Sequence, residues 1–252
     1  MQSEKQWNVE AVLFMGVGLM MSFALGILGI LILTRVGELP DKEAKFYSFI
    51  IGSVSFHGMA LILAHFFLRA HRLTWPEFLG LKGPHLKKAI LWAIGVAILA
   101  FPATVGLNEV SRQFIVWIHG TAQPQPTMEV LGISVTLWQR IWFGISAIIV
   151  APLAEEIVFR AILYRALRQF GPRGLALWVS AVMFGAIHGS WMTFLPLTVF
   201  AIILTLLYDR TDNLMAPVTV HSLFNAANFC LYFYQDEVTR WLHETFRQLQ
   251  QW

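Results

Sequence analysis

Two adjacent carboxylates, Glu155 and Glu156, and an arginine four residues later, Arg160, stand out chemically in this chain of 252 residues. The surrounding sequence is 57% hydrophobic and only 13% charged. An ionisable side chain at the centre of a bilayer costs about 2.5–3.5 kcal/mol even on the most favourable scale. Such residues usually face a protein interior or a water-filled cavity and mark a functional site. We therefore expect these residues to belong to a site.

The helical positions of the two glutamates give them different partners. Glu156 and Arg160 are four residues apart, just over one turn, so their side chains can pair. Glu155 is turned about 100° around the same helix, so the two carboxylates cannot share one partner geometry. One carboxylate can then be held by the arginine while the other faces a cavity.

Two histidines and an asparagine in later apolar segments can join this pair. His188 ends one segment, four residues after Phe184. His221 and Asn225 lie in another, and their spacing of four points them the same way. A buried carboxylate can act as a general base on water, with a histidine orienting the same water. A second histidine and an amide can donate to an oxyanion, so the set suffices to hydrolyse an amide without a covalent intermediate.

Each of these residues also has a structural interpretation. A Glu–Arg pair is often a clamp, an intramembrane histidine is usually hydrogen-bonded in the interior, and an asparagine often joins helices. For His57 and His65, in an earlier span, we favour this interpretation. It is weaker for the C-terminal set, because five such groups occur in three spans.

The composition predicts an all-α, polytopic transmembrane bundle of about seven spans. The predicted spans are 9–34, 46–68, 89–116, 137–169, 175–188, 191–208 and 214–234. We expect one membrane domain over 1–252, with catalytic core helices at 137–234 and a polar C-terminal tail at 235–252. Residues 75–81 are expected to form a short helix capped by Thr74, and 120–136 an exposed loop.

The basic residues indicate an orientation and no nucleic-acid partner. A net charge of +3 in a membrane protein mainly sets topology and contacts lipid headgroups. Lys and Arg favour a cytoplasmic N-terminus, in the inner or plasma membrane if the source is bacterial. That orientation puts Glu155 on the cytoplasmic side and His188 on the other. Either the span boundaries are shifted or the site lies near mid-membrane.

Three short motifs occur in order and complete, each in its own span. They are E-E-x-x-x-R from Glu155 to Arg160, F-x-x-x-H from Phe184 to His188, and H-x-x-x-N from His221 to Asn225. In these the chain resembles the CPBP family, the CAAX proteases and bacteriocin-processing enzymes also called Abi. The resemblance covers about residues 152–230, and 75–81 looks like the segment that precedes the family's core.

The resemblance implies an intramembrane endopeptidase that cleaves a membrane-associated peptide, either prenylated or a precursor. It implies that Glu155 with His188 activates water and that His221 and Asn225 stabilise the oxyanion. The residues implied to support the site are Glu156, Arg160 and Phe184.

Metal dependence and a different function stay open alternatives. No cofactor is expected, but Glu155, His188 and His221 are of the residue types that bind zinc. Asn225 suits an oxyanion donor better than a zinc ligand, and the sequence contains no H-E-x-x-H. The chain could also be a non-proteolytic membrane scaffold or maturation factor, or a transporter whose polar residues line an ion path.

Overall fold

The computed structural model describes residues 6–83, 85–122, 126–134 and 136–249. Across these ranges the chain forms nine helices and no strand, which confirms the all-α prediction. In chain order they are α1 (Val9–Val36), α2 (Asp41–Ala70), α3 (Trp75–Phe78), α4 (Leu86–His119), α5 (Pro126–Ile133), α6 (Leu137–Phe170), α7 (Arg173–Ile187), α8 (Trp191–Thr211) and α9 (Met215–Leu249). Helix α2 contains one π-helical turn, Val54–Gly58, and α6 contains two, Ser146–Val150 and Ile157–Tyr164.

The helix lengths agree roughly with the seven predicted spans. Within the described residues, five helices are long and apolar enough to cross a membrane, namely α1, α2, α4, α6 and α8. Helix α7 is a shorter apolar helix, and α9 begins one residue after the predicted seventh span. Large apolar side chains such as Phe14, Met20 and Leu99 are exposed on the outer helices, as lipid contact requires. The protein is an integral, multi-pass membrane protein.

Helix α7 follows the predicted fifth span to within two residues, and its length bears on the site. Its 15 residues rise only about 22 Å, whereas the hydrocarbon core is about 30 Å thick. His188 follows its last residue, Gly189 then takes a left-handed conformation, with φ of 62°, and Ser190 precedes α8. The predicted opposition between Glu155 and His188 disappears, because His188 Nε2 lies 4.0 Å from Glu155 Oε2 and the two side chains therefore meet at one depth.

The α7–α8 hairpin is tight because a glycine sits at the crossing. A Cβ on Gly185 would lie 2.8 Å from the carbonyl oxygen of Phe194 and would also meet the hydroxyl of Thr198. Gly185 belongs to the segment between Phe184 and His188, so this contact also sets the position of His188.

The end of α6 is tied to both helices of the hairpin through one carboxylate. Asp209, near the end of α8, accepts from the Tyr164 hydroxyl at 2.5 Å. The same carboxylate pairs with Arg168 at 3.0 Å and with Arg173 at 2.8 Å. These contacts join α6, α7 and α8 on the side of the molecule away from the hairpin tip.

The N-terminal segment also packs on α6. The indole of Trp7 is buried and donates to the carbonyl of Ala161 at 2.8 Å. The guanidinium of Arg165 lies 4.1 Å from the centre of the same ring. Ala60 and Ala64 of α2 belong to the same buried cluster, in which small side chains let helices approach closely. Helix α6 is therefore enclosed by neighbours from both halves of the sequence.

The segments between the spans follow the sequence in part. The predicted short helix is present as α3, where the Glu77 carboxylate accepts from the Thr74 backbone at 2.9 Å in a capping box. The prediction of a loop at 120–136 is wrong, because α5 occupies part of it and begins at Pro126, a favoured first residue of a helix. Residues up to 249 of the predicted tail continue α9, while Pro124 and 250–252 lie outside the described residues.

Replacing Gly185 with alanine should destabilise the hairpin. The added methyl would meet backbone, so we expect a loss of about 1–3 kcal/mol in the free energy of unfolding, measured in detergent. Gly174→Ala in the same helix is the matched control, because a Cβ there meets nothing within 4 Å. Equal effects of the two substitutions would contradict the close-contact explanation.

Candidate functional site

Glu156 is the centre of a fully buried ion pair. Its Oε1 accepts from Arg160 Nη1 at 2.9 Å and from His221 Nδ1 at 2.8 Å. Both Glu156 and Arg160 are almost completely inaccessible to solvent. A buried charge left without such partners would be very costly, so this pair fixes how α9 meets α6.

The arginine of this pair also reaches the hairpin. The Arg160 guanidinium lies 4.5 Å from the centre of the Phe184 ring, and its Nη2 donates to the carbonyl of Ala201 at 3.4 Å. Phe184 belongs to α7 and Ala201 to α8. The ion pair and its neighbours therefore hold four helices, α6 to α9, around one buried charge.

Glu155 faces a different set of partners, as the 100° offset predicts. Its Oε1 lies 3.0 Å from His57 Nε2. Its Oε2 lies 4.0 Å from His188 Nε2 and 3.9 Å from His221 Nε2. Three imidazoles from α2, α9 and the end of α7 thus surround one carboxylate that is only 7% exposed.

The partners of the Nδ1 atoms set the tautomers of the two histidines near Oε2. His188 Nδ1 lies 2.8 Å from the carbonyl oxygen of Phe184, which can only accept, so Nδ1 carries the proton. His221 Nδ1 donates in the same way to the carboxylate of Glu156. In the neutral rings both Nε2 atoms are then unprotonated, and both are directed towards Glu155 Oε2.

Glu155 Oε2 is buried and makes no hydrogen bond within the described part of the chain. Buried polar atoms are almost always satisfied, so such an atom needs an explanation. The two Nε2 atoms are too far for a direct bond and near enough for one water molecule to lie between. The arrangement can therefore hold a water molecule between a carboxylate and imidazole nitrogens.

The side-chain amide of Asn225 is bonded to the backbone of α6. Its side-chain nitrogen donates to the carbonyl of Ala147 at 2.7 Å. Ala147 lies in the π-helical turn Ser146–Val150, where backbone carbonyls lose their regular partners. The amide thus joins α9 to α6 by satisfying an irregular piece of backbone inside the membrane.

The structure brings most of the predicted residues together and adds one. The Nε2 atoms of His188 and His221 each lie within about 4 Å of Glu155 Oε2. Glu156, Arg160 and Phe184 pack directly behind them.

The added residue is His57, for which the structural interpretation missed the contact with Glu155. The available signal was a histidine in an apolar span with Ser53 four residues before it. The separation of 98 positions along the chain hid its pairing with Glu155.

The placement of histidines and acidic side chains bears on the zinc alternative. Among the described residues, no group of three or more His, Cys, Asp or Glu is placed so that it could hold a metal ion. The residue types of Glu155, His188 and His221 suit zinc, so a zinc-dependent reaction stays the alternative to a metal-free one.

Removing Arg160 should destabilise the protein strongly. Arg160→Met leaves the Glu156 charge buried without its cation, which typically costs about 3–5 kcal/mol. Adding Glu156→Gln should recover part of this loss in unfolding titrations, because the uncompensated charge is removed. The control is Arg112→Met, which breaks an exposed pair with Glu109 and should have no measurable effect. A small loss for Arg160→Met would contradict the importance of the buried pair.

Comparison with known proteins identifies the segment that contains the site. Residues 136–227 match the family described as Type II CAAX prenyl endopeptidase Rce1-like. This segment contains Glu155, His188, His221 and Asn225, but not His57. No solved structure matches the chain.

Curated relatives include three bacterial proteins. Two are from Bacillus subtilis: "Uncharacterized protein YpbD", 31% identical over 31% of this chain and 39% of its own, and "Putative membrane peptidase YdiL", 30% identical over 40% and 41%. The third, "UPF0177 protein YxdF" of Lactococcus lactis, is 27% identical over 66% of this chain and 89% of its own. The chain spans about two fifths of the length of the first two relatives. Residues 136–227, where all three motifs lie, therefore match the Rce1-like family, which supports the resemblance to the CPBP family.

Proposed function

We propose that this protein is an intramembrane endopeptidase of the CAAX-protease type. Its substrate would be a membrane-associated peptide, prenylated or a precursor, cleaved by a water molecule that Glu155 and His188 activate. The observation that carries the proposal is the buried Glu155 carboxylate, whose Oε2 faces two imidazole nitrogens at 3.9 and 4.0 Å. The match to the Rce1-like family and the name of the relative YdiL support the proposal that this protein is a peptidase.

The proposed chemistry needs two proton acceptors beside one water. With Nδ1 bonded to the Phe184 carbonyl, His188 Nε2 is an acceptor, and the Glu155 carboxylate is another. A water that donates to both keeps a lone pair on its oxygen for attack on the substrate carbonyl carbon. One acceptor takes the water proton, and a proton is then given to the departing amine nitrogen. No covalent enzyme intermediate is required.

The oxyanion of this reaction needs hydrogen-bond donors, and we assign this role to His221 and Asn225. His221 can donate from Nε2 only when both ring nitrogens carry a proton, and its Nδ1 is held by the Glu156 carboxylate at 2.8 Å. Asn225 uses one amide hydrogen for the Ala147 carbonyl, and an amide nitrogen carries two. The bond to Ala147 would fix the amide so that the second hydrogen is held in place before the substrate arrives.

The depth of the site suits a substrate already in the bilayer. Helix α7, which has His188 at its end, is shorter than the hydrocarbon core is thick, so we place the scissile bond within the bilayer. A peptide anchored by a lipid or by an apolar segment meets this requirement at low cost, because its apolar part need not leave the membrane. The lipid bilayer is therefore the expected second partner.

Removing either proton acceptor should abolish cleavage. We expect Glu155→Gln and His188→Ala to lower kcat about 10²–10⁴-fold in liposomes, with a farnesylated CAAX peptide and its unprenylated counterpart as probes. Glu10→Gln and His119→Ala, on exposed residues at helix ends, are the matched controls.

Full cleavage by both site variants would contradict the assigned roles. A wild-type protein that binds both probes and cleaves neither would favour the scaffold or maturation factor. Ion flux that survives complete loss of cleavage would favour a transporter. After thorough chelation we expect cleavage to persist, and strict dependence on added zinc would support the zinc alternative.

Removing the Asn225 amide should affect the reaction more than binding. Loss of one oxyanion donor typically lowers kcat about 10²–10³-fold, so we expect this from Asn225→Ala with KM little changed. Asn228→Ala is the matched control, because that amide donates to Phe224 at 2.9 Å within its own helix. A change confined to KM would show that Asn225 contributes to binding instead.

A further inference from the structure

His57 lies outside the three motifs and outside the segment matched by the family, yet it makes the shortest contact of the three imidazoles with Glu155. We propose that His57, oriented by Ser53, is a positioning residue that fixes the carboxylate of Glu155 for its reaction with water. The proposal rests on the proposed protease function and assigns to it a fourth element, α2. The contact of 3.0 Å from His57 Nε2 to Glu155 Oε1 is its first support.

The second support is the hydrogen-bond direction along the chain of three groups. A carboxylate only accepts, so the Nε2 of His57 must carry the shared proton. In the neutral ring Nδ1 is then an acceptor, and the Ser53 hydroxyl, 3.2 Å away, can donate to it. The carboxylate thus sets the tautomer in which His57 donates to Glu155, and Ser53 holds the ring in place by donating to Nδ1.

The third support is that the two oxygens of Glu155 have different partners. His57 occupies Oε1, while Oε2 faces the Nε2 atoms of His188 and His221. A glutamate has several rotatable bonds, and a donor on one oxygen restricts which way the other oxygen points. Without that donor, the carboxylate would be free to turn and would lose its alignment with the water, although the fold need not change.

The fourth support is local backbone geometry. His57 is carried by the π-helical turn Val54–Gly58, and Glu155 lies shortly before the π-helical turn Ile157–Tyr164. A π-helical turn inserts one extra residue, which re-aims the side chains that follow, and such turns are frequent at functional sites. The turn in α2 accepts a hydrogen bond from Ser22 of α1 at the Ser55 carbonyl and presents His57 to Glu155 of α6.

Two isosteric substitutions separate positioning from simple packing. Glutamine places an N–H donor near the position of His57 Nε2, whereas asparagine places it near Nδ1 and is too short to reach Glu155. We expect His57→Ala and His57→Asn to lower kcat about 10–100-fold with KM nearly unchanged, and His57→Gln to recover most of the activity. His65→Ala, on the exposed histidine of the same helix, is the control and should cleave like wild type.

Equal activity of the Gln and Asn variants, or wild-type kcat in His57→Ala, would overturn the proposal. Loss of thermal stability in proportion to loss of activity across all three variants would also overturn it, because packing alone would then explain both.

A measurement without substrate tests the same contact. In protein labelled with ¹⁵N-histidine, the His57 signals are identified by their disappearance in His57→Gln. We expect Glu155→Ala to shift the Nε2 signal and Ser53→Ala to shift the Nδ1 signal, and unchanged signals would overturn the proposal. If the shifts are present but wild-type protein cleaves neither probe peptide, the proposed protease function fails while the assigned contact stands.

Discussion

The buried pair of Glu156 and Arg160 is the constraint on which the site depends. Two charges on one apolar helix cannot be left unpartnered in the membrane, and the partners they require come from three other helices. His221 accompanies the carboxylate, and Phe184 covers the guanidinium. Once these contacts form, the helices that carry His188 and His221 have only one way to approach α6. Glu155, the residue that precedes Glu156, then faces their imidazoles.

Irregular helix geometry makes this convergence possible. Helix α2, which supplies His57, and helix α6, which carries Glu155, both contain π-helical turns near the site. Such turns leave backbone carbonyls without their usual partners, which is expensive away from water. The amide of Asn225 compensates one of them at Ala147. The same side chain therefore stabilises the fold and lies close to the residues proposed to perform the chemistry.

The sequence predicted what depends on local periodicity. Apolar runs located the spans, and the capping residues at Thr74 located α3. A helical spacing of four paired Glu156 with Arg160 and turned Glu155 elsewhere. The motifs then grouped His188 and His221 with the glutamates.

The sequence did not predict what depends on contacts between distant segments. No pattern links His57 to Glu155, because the interval between them contains three whole helices, α3, α4 and α5. The bond of Asn225 to a backbone carbonyl also escaped, since a π-helical turn has no simple sequence signature.

The indole of Trp7 has a consequence for the biogenesis of the protein. Its hydrogen-bond acceptor, Ala161, leaves the ribosome 154 residues later. Trp7 can therefore dock on α6 only after several transmembrane segments have been inserted. His221 is synthesised later still, so the polar centre stays incomplete during translation until the last helix enters the bilayer. A chain that stops before α9 therefore lacks His221 and its contact with the Glu156 carboxylate.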